Sequence, residues 1–134
     1  MTAGRRAVVD ASLVIAALNA DEPSHGQALN LLAAWDVLVL HTVNLAEILA
    51  GVDRGAWDGL LAALRANGFE AHHTTAEELA EARLATALKM PDACVIAVAK
   101  AQHVEAVLSL DARLVRAARE QGFACPGDPA GQNR

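Results

Sequence analysis

The chain is poor in aromatic side chains: its 134 residues include two Phe, two Trp and no Tyr. Apolar residues nevertheless make up 54% of the sequence, so Ala, Val, Leu and Ile must form the core. A domain of this length buries about two-thirds of the surface that its unfolded chain exposes, without help from disulfides or structural metals. We therefore expect one self-supporting domain over residues 1–125, followed by a loose tail over residues 126–134.

Cysteines and long apolar runs are also scarce. Cys94 and Cys125 lack the C-x-x-C spacing of redox and zinc sites, which predicts two reduced packing residues. The longest uncharged stretches are too short to span a bilayer or carry Asn, Gly or His, so no membrane association is expected. Asp10 ends the apolar run at residues 7–9 before it reaches the length of a signal peptide. These features predict a soluble, cytoplasmic protein.

Basic residues are outnumbered, because 11 Lys and Arg face 16 Asp and Glu and the formal net charge is −5. A protein that holds nucleic acid by charge alone should be basic, since phosphate contacts dominate such binding. The balance therefore argues against a simple DNA- or RNA-binding module. It argues less against a metal-dependent nuclease, in which acidic residues belong to the site and metal ions meet the phosphate.

Short apolar runs alternate with helical patterns along the chain, which predicts a three-layer α/β/α sandwich around a mostly parallel sheet of four to five strands. The predicted strands are residues 7–9, 37–40, 69–72 and 105–108, with 123–125 as an optional edge strand. The predicted helices are one capped by Ser12, 28–35, one starting at Thr42, 57–65, one from the Thr75/Glu78 capping box to about 88, one with Pro91 in first position, and 111–120 ending at Gly122.

Four carboxylates occupy related places in this pattern. Asp10 ends the first strand, Asp111 follows the fourth, and Asp92 heads the apolar segment 93–99. In a parallel α/β domain, strand ends and helix starts gather at one edge of the sheet, where these folds bind ligands. Glu47 lies inside a helical segment among small residues. Four converging acids repel one another unless cations neutralise them, so the pattern predicts a divalent-metal site.

Each acid also has an ordinary structural interpretation that stays open. Asp111 can be a helix N-cap, and Asp92 can complement a helix dipole. Asp10 has no capping duty that Ser12 could not perform. Glu47 lies opposite the apolar stripe of its helix, where a solvated side chain is also expected. Only the joint pattern favours a common site.

Four segments, in this order and at these separations, resemble one protein family. They are 8–12 (VVDAS), 42–51 (TVNLAEILAG), 91–97 (PDACVIA) and 108–114 (LSLDARL). Each segment is short and unspecific alone, but together they cover nearly the whole chain and are specific. In these segments the chain resembles the PIN-domain nucleases, and within them the VapC-type toxins of bacterial type II toxin–antitoxin pairs.

The resemblance implies an activity and a site. It implies a Mg²⁺- or Mn²⁺-dependent endoribonuclease in which a metal-activated water attacks the phosphodiester, leaving a 5′-phosphate and a 3′-hydroxyl. The implied catalytic and metal-binding residues are Asp10, Glu47, Asp92 and Asp111, with Ser12 and Ser109 as supporting hydroxyls. Asp10 and Asp92 are the expected direct ligands, while Glu47 and Asp111 orient waters. Ser109 stands where the family more often has Thr, and the hydroxyl is kept.

The resemblance also implies partners: an RNA substrate, a cognate VapB-type antitoxin whose C-terminal segment crosses the acidic cleft, and a homodimer that joins the antitoxin in a hetero-oligomer. Arg113, Arg116 and Arg119 recur every three positions on the last helix. They form either a solvated helix face, a rail for the RNA backbone or part of an antitoxin groove. Lys89 is the better candidate for a phosphate contact, because it lies next to the corner that carries Asp92.

Three other functions compete with this one. The histidines His25, His41, His72, His73 and His103 lack metal-ligand spacing, which disfavours a zinc or His-base nuclease. A receiver-like phosphoacceptor domain needs two adjacent acids after the first strand, but Ala11 follows Asp10. A catalytically silent PIN-like interaction domain is opposed only by the presence of all four acids, so it remains the main alternative.

Overall fold

The computed structural model describes residues 4–127. Within them, four strands form one parallel sheet: β1 (Arg6–Val9), β2 (Val37–His41), β3 (Phe69–His72) and β4 (Ala106–Leu108). The strand order is β3-β2-β1-β4, so β1 and β2 are central. All three pairings are parallel, and their registers place Val8 opposite both Val39 and Val107.

Seven α-helices pack on the two faces of this sheet in the described part of the chain. They are α1 (Ala11–Leu18), α2 (His25–Ala33), α3 (Thr42–Ala50), α4 (Trp57–Ala66), α5 (Ala76–Thr86), α6 (Met90–Ala101) and α7 (Ala112–Glu120). Helices α1–α4 share one apolar core with the sheet, and α5–α7 share the other. The predicted three-layer α/β/α sandwich is therefore confirmed, with four parallel strands.

The residues of β1 show how the sequence produces two cores. Ala7 and Val9 face the core on the α1 side, while Val8 faces the core of α6, because side chains alternate along a strand. All three are fully buried, and a strand covered on both faces needs a continuous apolar run. Helix α6 follows the same logic, since every residue from 93 to 99 is buried between the sheet and its neighbouring helices.

The optional fifth strand at residues 123–125 is not formed. Ala124 makes only an isolated parallel bridge with Ala106, through a 2.9 Å bond from the Val107 N–H to the Ala124 carbonyl oxygen. Pro126 follows at once and has no N–H to continue a ladder. Of the predicted tail, residues 128–134 lie outside the described part of the chain.

Three predicted helix starts are wrong by one to three residues. Asp10, not Ser12, caps α1, because its carboxylate accepts the Ser12 N–H and the helix begins between them. Helix α2 begins at His25 rather than at residue 28, because its first turn is largely exposed and has no apolar residues that would indicate a helix. It ends at Ala33. Pro91 occupies the second position of α6, after Met90.

The structure gives two findings on the cysteines and on the lengths of the helices. Cys94 and Cys125 are both buried, and no disulfide joins them. Within residues 4–127, the helices are too short or too polar for any of them to cross a membrane.

Candidate active site at the carboxyl edge of the sheet

The strand ends bring two of the predicted acids to neighbouring places. Val9 and Leu108 are paired residues of β1 and β4, and the Asp10 N–H donates to the Leu108 carbonyl oxygen at 3.1 Å. Asp10 leads directly into α1, and Asp111 caps α7 three residues after β4 ends. Because both strands run in the same direction, both helix starts lie at the carboxyl edge of the sheet.

Asp92 is the acid on which the charges of the other three act. It lies in the first turn of α6 and is half-buried. Burial raises the pKa of Asp92, and the charges of Asp10, Asp111 and Glu47 raise it further; the guanidinium of Arg113 acts in the opposite direction. Three carboxylates thus act on the fourth, and Arg113 offsets their charge only in part.

Asp10 is held by two hydroxyl groups on one oxygen. Ser12 Oγ donates to Asp10 Oδ2 at 2.8 Å, and Ser109 Oγ donates to the same atom at 2.9 Å. Asp10 Oδ1 keeps only a 3.4 Å contact with the Ser12 N–H. Ser109 Oγ also accepts the Asp111 N–H at 3.0 Å, so one buried hydroxyl joins the ends of β1 and β4. The orientation of Asp10 is therefore fixed while Oδ1 stays available for a ligand.

Asp111 is the N-cap of α7 and also a candidate site residue. Its Oδ1 accepts the N–H groups of Arg113 at 2.9 Å and Leu114 at 3.3 Å, as an N-cap does. Both cap bonds use the same oxygen, and the exposed carboxylate still acts on Asp92. The N-cap interpretation was correct, and it does not compete with a place in the cleft.

Glu47 has a neighbour that the sequence analysis did not select. Asn44, one turn earlier on α3, donates from Nδ2 to Glu47 Oε1 at 3.2 Å and to the Pro91 carbonyl oxygen at 3.1 Å. Asn44 is 1% exposed. The polar pair at i and i+3 could have indicated this contact, but nothing in the sequence shows that the start of α6 packs against Asn44.

The charge of Glu47 also affects the thiol of Cys94. Its pKa is raised to about 11, by burial first and by the Glu47 charge second. A thiol in this environment stays protonated and is a poor nucleophile. Cys94 is therefore a packing residue beside the site, as predicted.

The basic residues divide into two groups. Lys89 is exposed at the N-cap position of α6, three residues before Asp92. Arg113 and Arg116 line a small cavity of about 150 Å³ beside the turn that joins α5 to α6, together with Thr86, Ala87, Leu88, Ala117 and Glu120. Arg119 does not line this cavity, so the stripe of three arginines is not one continuous surface toward the site.

His41 has a structural role. Its side chain is buried, its Nδ1 accepts the Val43 N–H at 3.0 Å to cap α3, and its Nε2 lies 2.9 Å from Thr74 Oγ1. Burial lowers the pKa of His41, and the nearby His73 lowers it further. The imidazole is neutral, with Nε2–H donating to Thr74 because Nδ1 already accepts. His41 therefore anchors the helix that carries Glu47.

The donor set fits a hard divalent cation. The site side chains offer carboxylate oxygens and no imidazole, which suits Mg²⁺ or Mn²⁺. Among residues 4–127, no three Asp, Glu, His or Cys side chains form a ready-made ligand cluster. Mg²⁺ does not require one, because it is usually held by one or two carboxylates and several waters. The uncompensated charge around Asp92 is the feature that such a cation would neutralise.

Fold and candidate site together define a small parallel α/β domain with acidic side chains at the carboxyl edge of its sheet. The chain belongs to the PIN domain family, whose sequence model matches residues 7–120. No curated protein matches the chain.

Solved structures with the same fold include several toxin proteins. A toxin–antitoxin complex from Klebsiella pneumoniae superimposes with a TM-score of 0.67 at 20% identity, over 91% of this chain and 98% of that chain. VapC20 from Mycobacterium tuberculosis, described as a sarcin-ricin loop cleaving toxin, gives 0.66 at 22%, over 88% and 96%. VapBC2 from Rickettsia felis, bound to a promoter DNA fragment, gives 0.61 at 14%, over 90% and 96%. At these identities the likeness establishes a shared fold.

Proposed function

We propose that this protein is a divalent-metal-dependent endoribonuclease that acts as the toxin of a VapBC-type toxin–antitoxin pair. The observation that carries the proposal is that Asp10 and Asp111 meet through the buried Ser109 hydroxyl at the carboxyl edge of the sheet, and that burial, their charges and that of Glu47 raise the pKa of the half-buried Asp92. Membership of the PIN domain family supports the nuclease activity, and the described roles of the structural neighbours support the toxin assignment.

Each acid has a role that follows from its surroundings. Asp10, with Oδ1 available, and Asp92 would hold Mg²⁺ or Mn²⁺ directly, while Glu47 and Asp111 orient water and complete the negative cleft. When bound, the cation supplies a Lewis acid beside the scissile phosphate. Ser109 keeps Asp10 in one orientation, since its hydroxyl is buried and has both its partners in place.

RNA would be held by local positive charge, because the protein as a whole carries −5. Arg113 and Arg116 meet at the cavity beside the cleft, and Arg113 is close enough to Asp92 to lower its pKa. We assign these two arginines and Lys89 to contacts with substrate phosphates.

An antitoxin would find an apolar groove at the opposite end of α1 from the acidic site. A cavity of about 470 Å³ opens between α1, α2, α4 and the sheet, and its walls include Leu18, Leu29 and Trp35. Leu18 and Leu29 are about half exposed. Helix α1 runs from Asp10 to this groove over eight residues, or about 12 Å. One peptide segment can therefore place a basic side chain in the cleft and apolar side chains in the groove.

Cleavage of an unstructured or loop-containing RNA by the purified protein tests the nuclease assignment. We expect cleavage that requires Mg²⁺ or Mn²⁺, stops with EDTA, and is lost in Asp92→Asn. Asp58→Asn is the matched control, because Asp58 also lies in the first turn of a helix but is exposed on α4. If Asp92→Asn cuts as well as the wild type, the acidic cleft is not the active site.

Expression in a bacterial host tests the toxin assignment. We expect the chain alone to slow growth, because its RNA substrate is in the cytoplasm. Co-expression of the adjacent gene should restore growth, and the product of that gene should co-purify with the chain. The Asp92→Asn chain should be harmless yet still bind that partner. If the metal-loaded wild type binds the partner but cuts no RNA tested, the silent interaction domain becomes the better interpretation.

A further inference from the structure

Asn44 makes the only amide bridge between the helix of Glu47 and the start of the helix of Asp92 in the described part of the chain. Its Nδ2 donates to Glu47 Oε1 within α3 and to the carbonyl oxygen of Pro91, the residue before Asp92. Both groups are acceptors only. The amide nitrogen must therefore face them, because the opposite flip would place a carbonyl oxygen against two acceptors.

The bridge restricts a side chain that has little else to hold it. Glu47 is exposed and has three rotatable side-chain bonds, whereas Asn44 is buried and packed. The second bond, to Pro91, ties Asn44 itself to the first turn of α6. One fixed amide thus places the Glu47 carboxylate relative to the backbone of the helix turn that carries Asp92.

A packing role alone does not account for Asn44. Its Oδ1 is buried without a hydrogen-bond partner, which is unfavourable, while the next buried position on α3 is the apolar Ile48. Leu has a similar branched shape and would remove the unpaired oxygen. The asparagine is explained by its two donor bonds.

We propose that Asn44 is a positioning residue that sets Glu47 against Asp92 for binding of the divalent cation. This inference rests on the proposed metal-dependent function. Residues that hydrogen-bond to metal ligands and orient them typically contribute about 10–100-fold to metal affinity or activity.

Thermal unfolding during a Mg²⁺ titration tests the proposal without using catalysis. We expect Asn44→Leu to unfold at a similar temperature in EDTA but to need about 10-fold more Mg²⁺ to reach half of its stabilisation. Asn44→Ala, which is smaller, gives the same comparison if Leu does not fit. Asn19→Leu is the control, since Asn19 is exposed at the far end of α1 and its side chain accepts only the Asp21 N–H.

Cleavage kinetics separate positioning from general damage. In Asn44→Leu, saturating Mg²⁺ should restore most of the kcat, with the KM for RNA unchanged and the Mg²⁺ requirement raised. A wild-type Mg²⁺ midpoint in Asn44→Leu would overturn this inference alone. Absence of any Mg²⁺ response in the wild-type protein would overturn both the proposed function and this inference.

Amide exchange tests the bridge itself in metal-free protein. Both Nδ2 protons of Asn44 should be protected in an NMR exchange experiment, and Glu47→Ala should release one of them while the other stays bonded to Pro91. If neither proton is protected in the wild type, the bridge is absent and the positioning role is wrong, whatever the metal does.

Discussion

Replacing Ser109 with Ala removes one hydroxyl that serves two partners at the centre of the site. Ser109 Oγ donates to Asp10 Oδ2 at 2.9 Å and accepts the Asp111 N–H at 3.0 Å. The residue is 1% exposed, so water cannot easily replace either bond. The change therefore acts on the ends of β1 and β4 without opening a large cavity.

The cost can be worked from these two bonds. A hydrogen bond to a charged group contributes about 1.5–3 kcal/mol, and an ordinary one about 1 kcal/mol. Ser12 Oγ still donates to Asp10 Oδ2 in the variant, so Asp10 is not left without a donor. We expect Ser109→Ala to lower the free energy of unfolding by about 2–3 kcal/mol. For a domain of this size that corresponds to a Tm lower by roughly 6–15 °C.

Urea unfolding in EDTA, followed by circular dichroism, measures this cost. The same substitution in an Asp10→Asn background should cost about 1 kcal/mol less, because the hydrogen bond to Asp10 loses its charge. Ser12→Ala is the comparison for an exposed hydroxyl on the same oxygen and should cost less than Ser109→Ala. An equal cost of Ser109→Ala in both backgrounds would refute the reasoning, since Ser109 would then stabilise the fold independently of the Asp10 charge.

Three further predictions follow from other features. The pKa of His41 lies below its ordinary 6.5, so the unfolded chain binds a proton at this residue more readily than the folded chain does. The free energy of unfolding should therefore be constant above about pH 6.5 and fall as the pH drops below it. Urea unfolding between about pH 7.5 and 5.5 measures this fall, which should be less steep in His41→Gln. In an inactive Asp92→Asn background, Arg116→Gln should weaken RNA binding and reduce the slope of log K against log salt by about 0.7, measured by fluorescence anisotropy; an unchanged slope would exclude a phosphate contact. Light scattering of the purified protein should give twice the 14.0 kDa chain mass if the predicted homodimer forms, and a single-chain mass would contradict it.

Three of the four strands could be predicted from the sequence because β1, β2 and β4 are buried on both faces, whereas the edge strand β3 is partly exposed and gives a weaker signal. Strands buried on both faces read as continuous apolar runs, and the run at 7–9 lies within the observed β1. The segment at 123–125 failed as a strand because Ala124 makes a single bridge before Pro126 ends the pairing. A single bridge and a short strand leave the same pattern in the sequence.

The parts of the site that the sequence did not indicate depend on contacts between distant elements. The order of the acids relative to strands and helices predicted that Asp10, Asp92 and Asp111 belong to one edge of the sheet. Asn44 was not selected, because its burial depends on how α6 packs against α3. The cap of α1 was assigned to Ser12, because a sequence cannot show that the Asp10 carboxylate reaches the helix N–H first.

Asp10 and Asp111 are helix caps as well as proposed site acids, so substitutions there should act differently from substitutions at Asp92 and Glu47. Loss of either cap weakens the start of a helix, whereas loss of the Asp92 carboxylate relieves repulsion with its neighbours. Under the proposed function, cells that escape the toxin through a point mutation would accumulate well-folded inactive chains mainly at Asp92 and Glu47. Such chains would still bind an antitoxin, whereas chains altered at the two caps would be less stable and therefore less abundant.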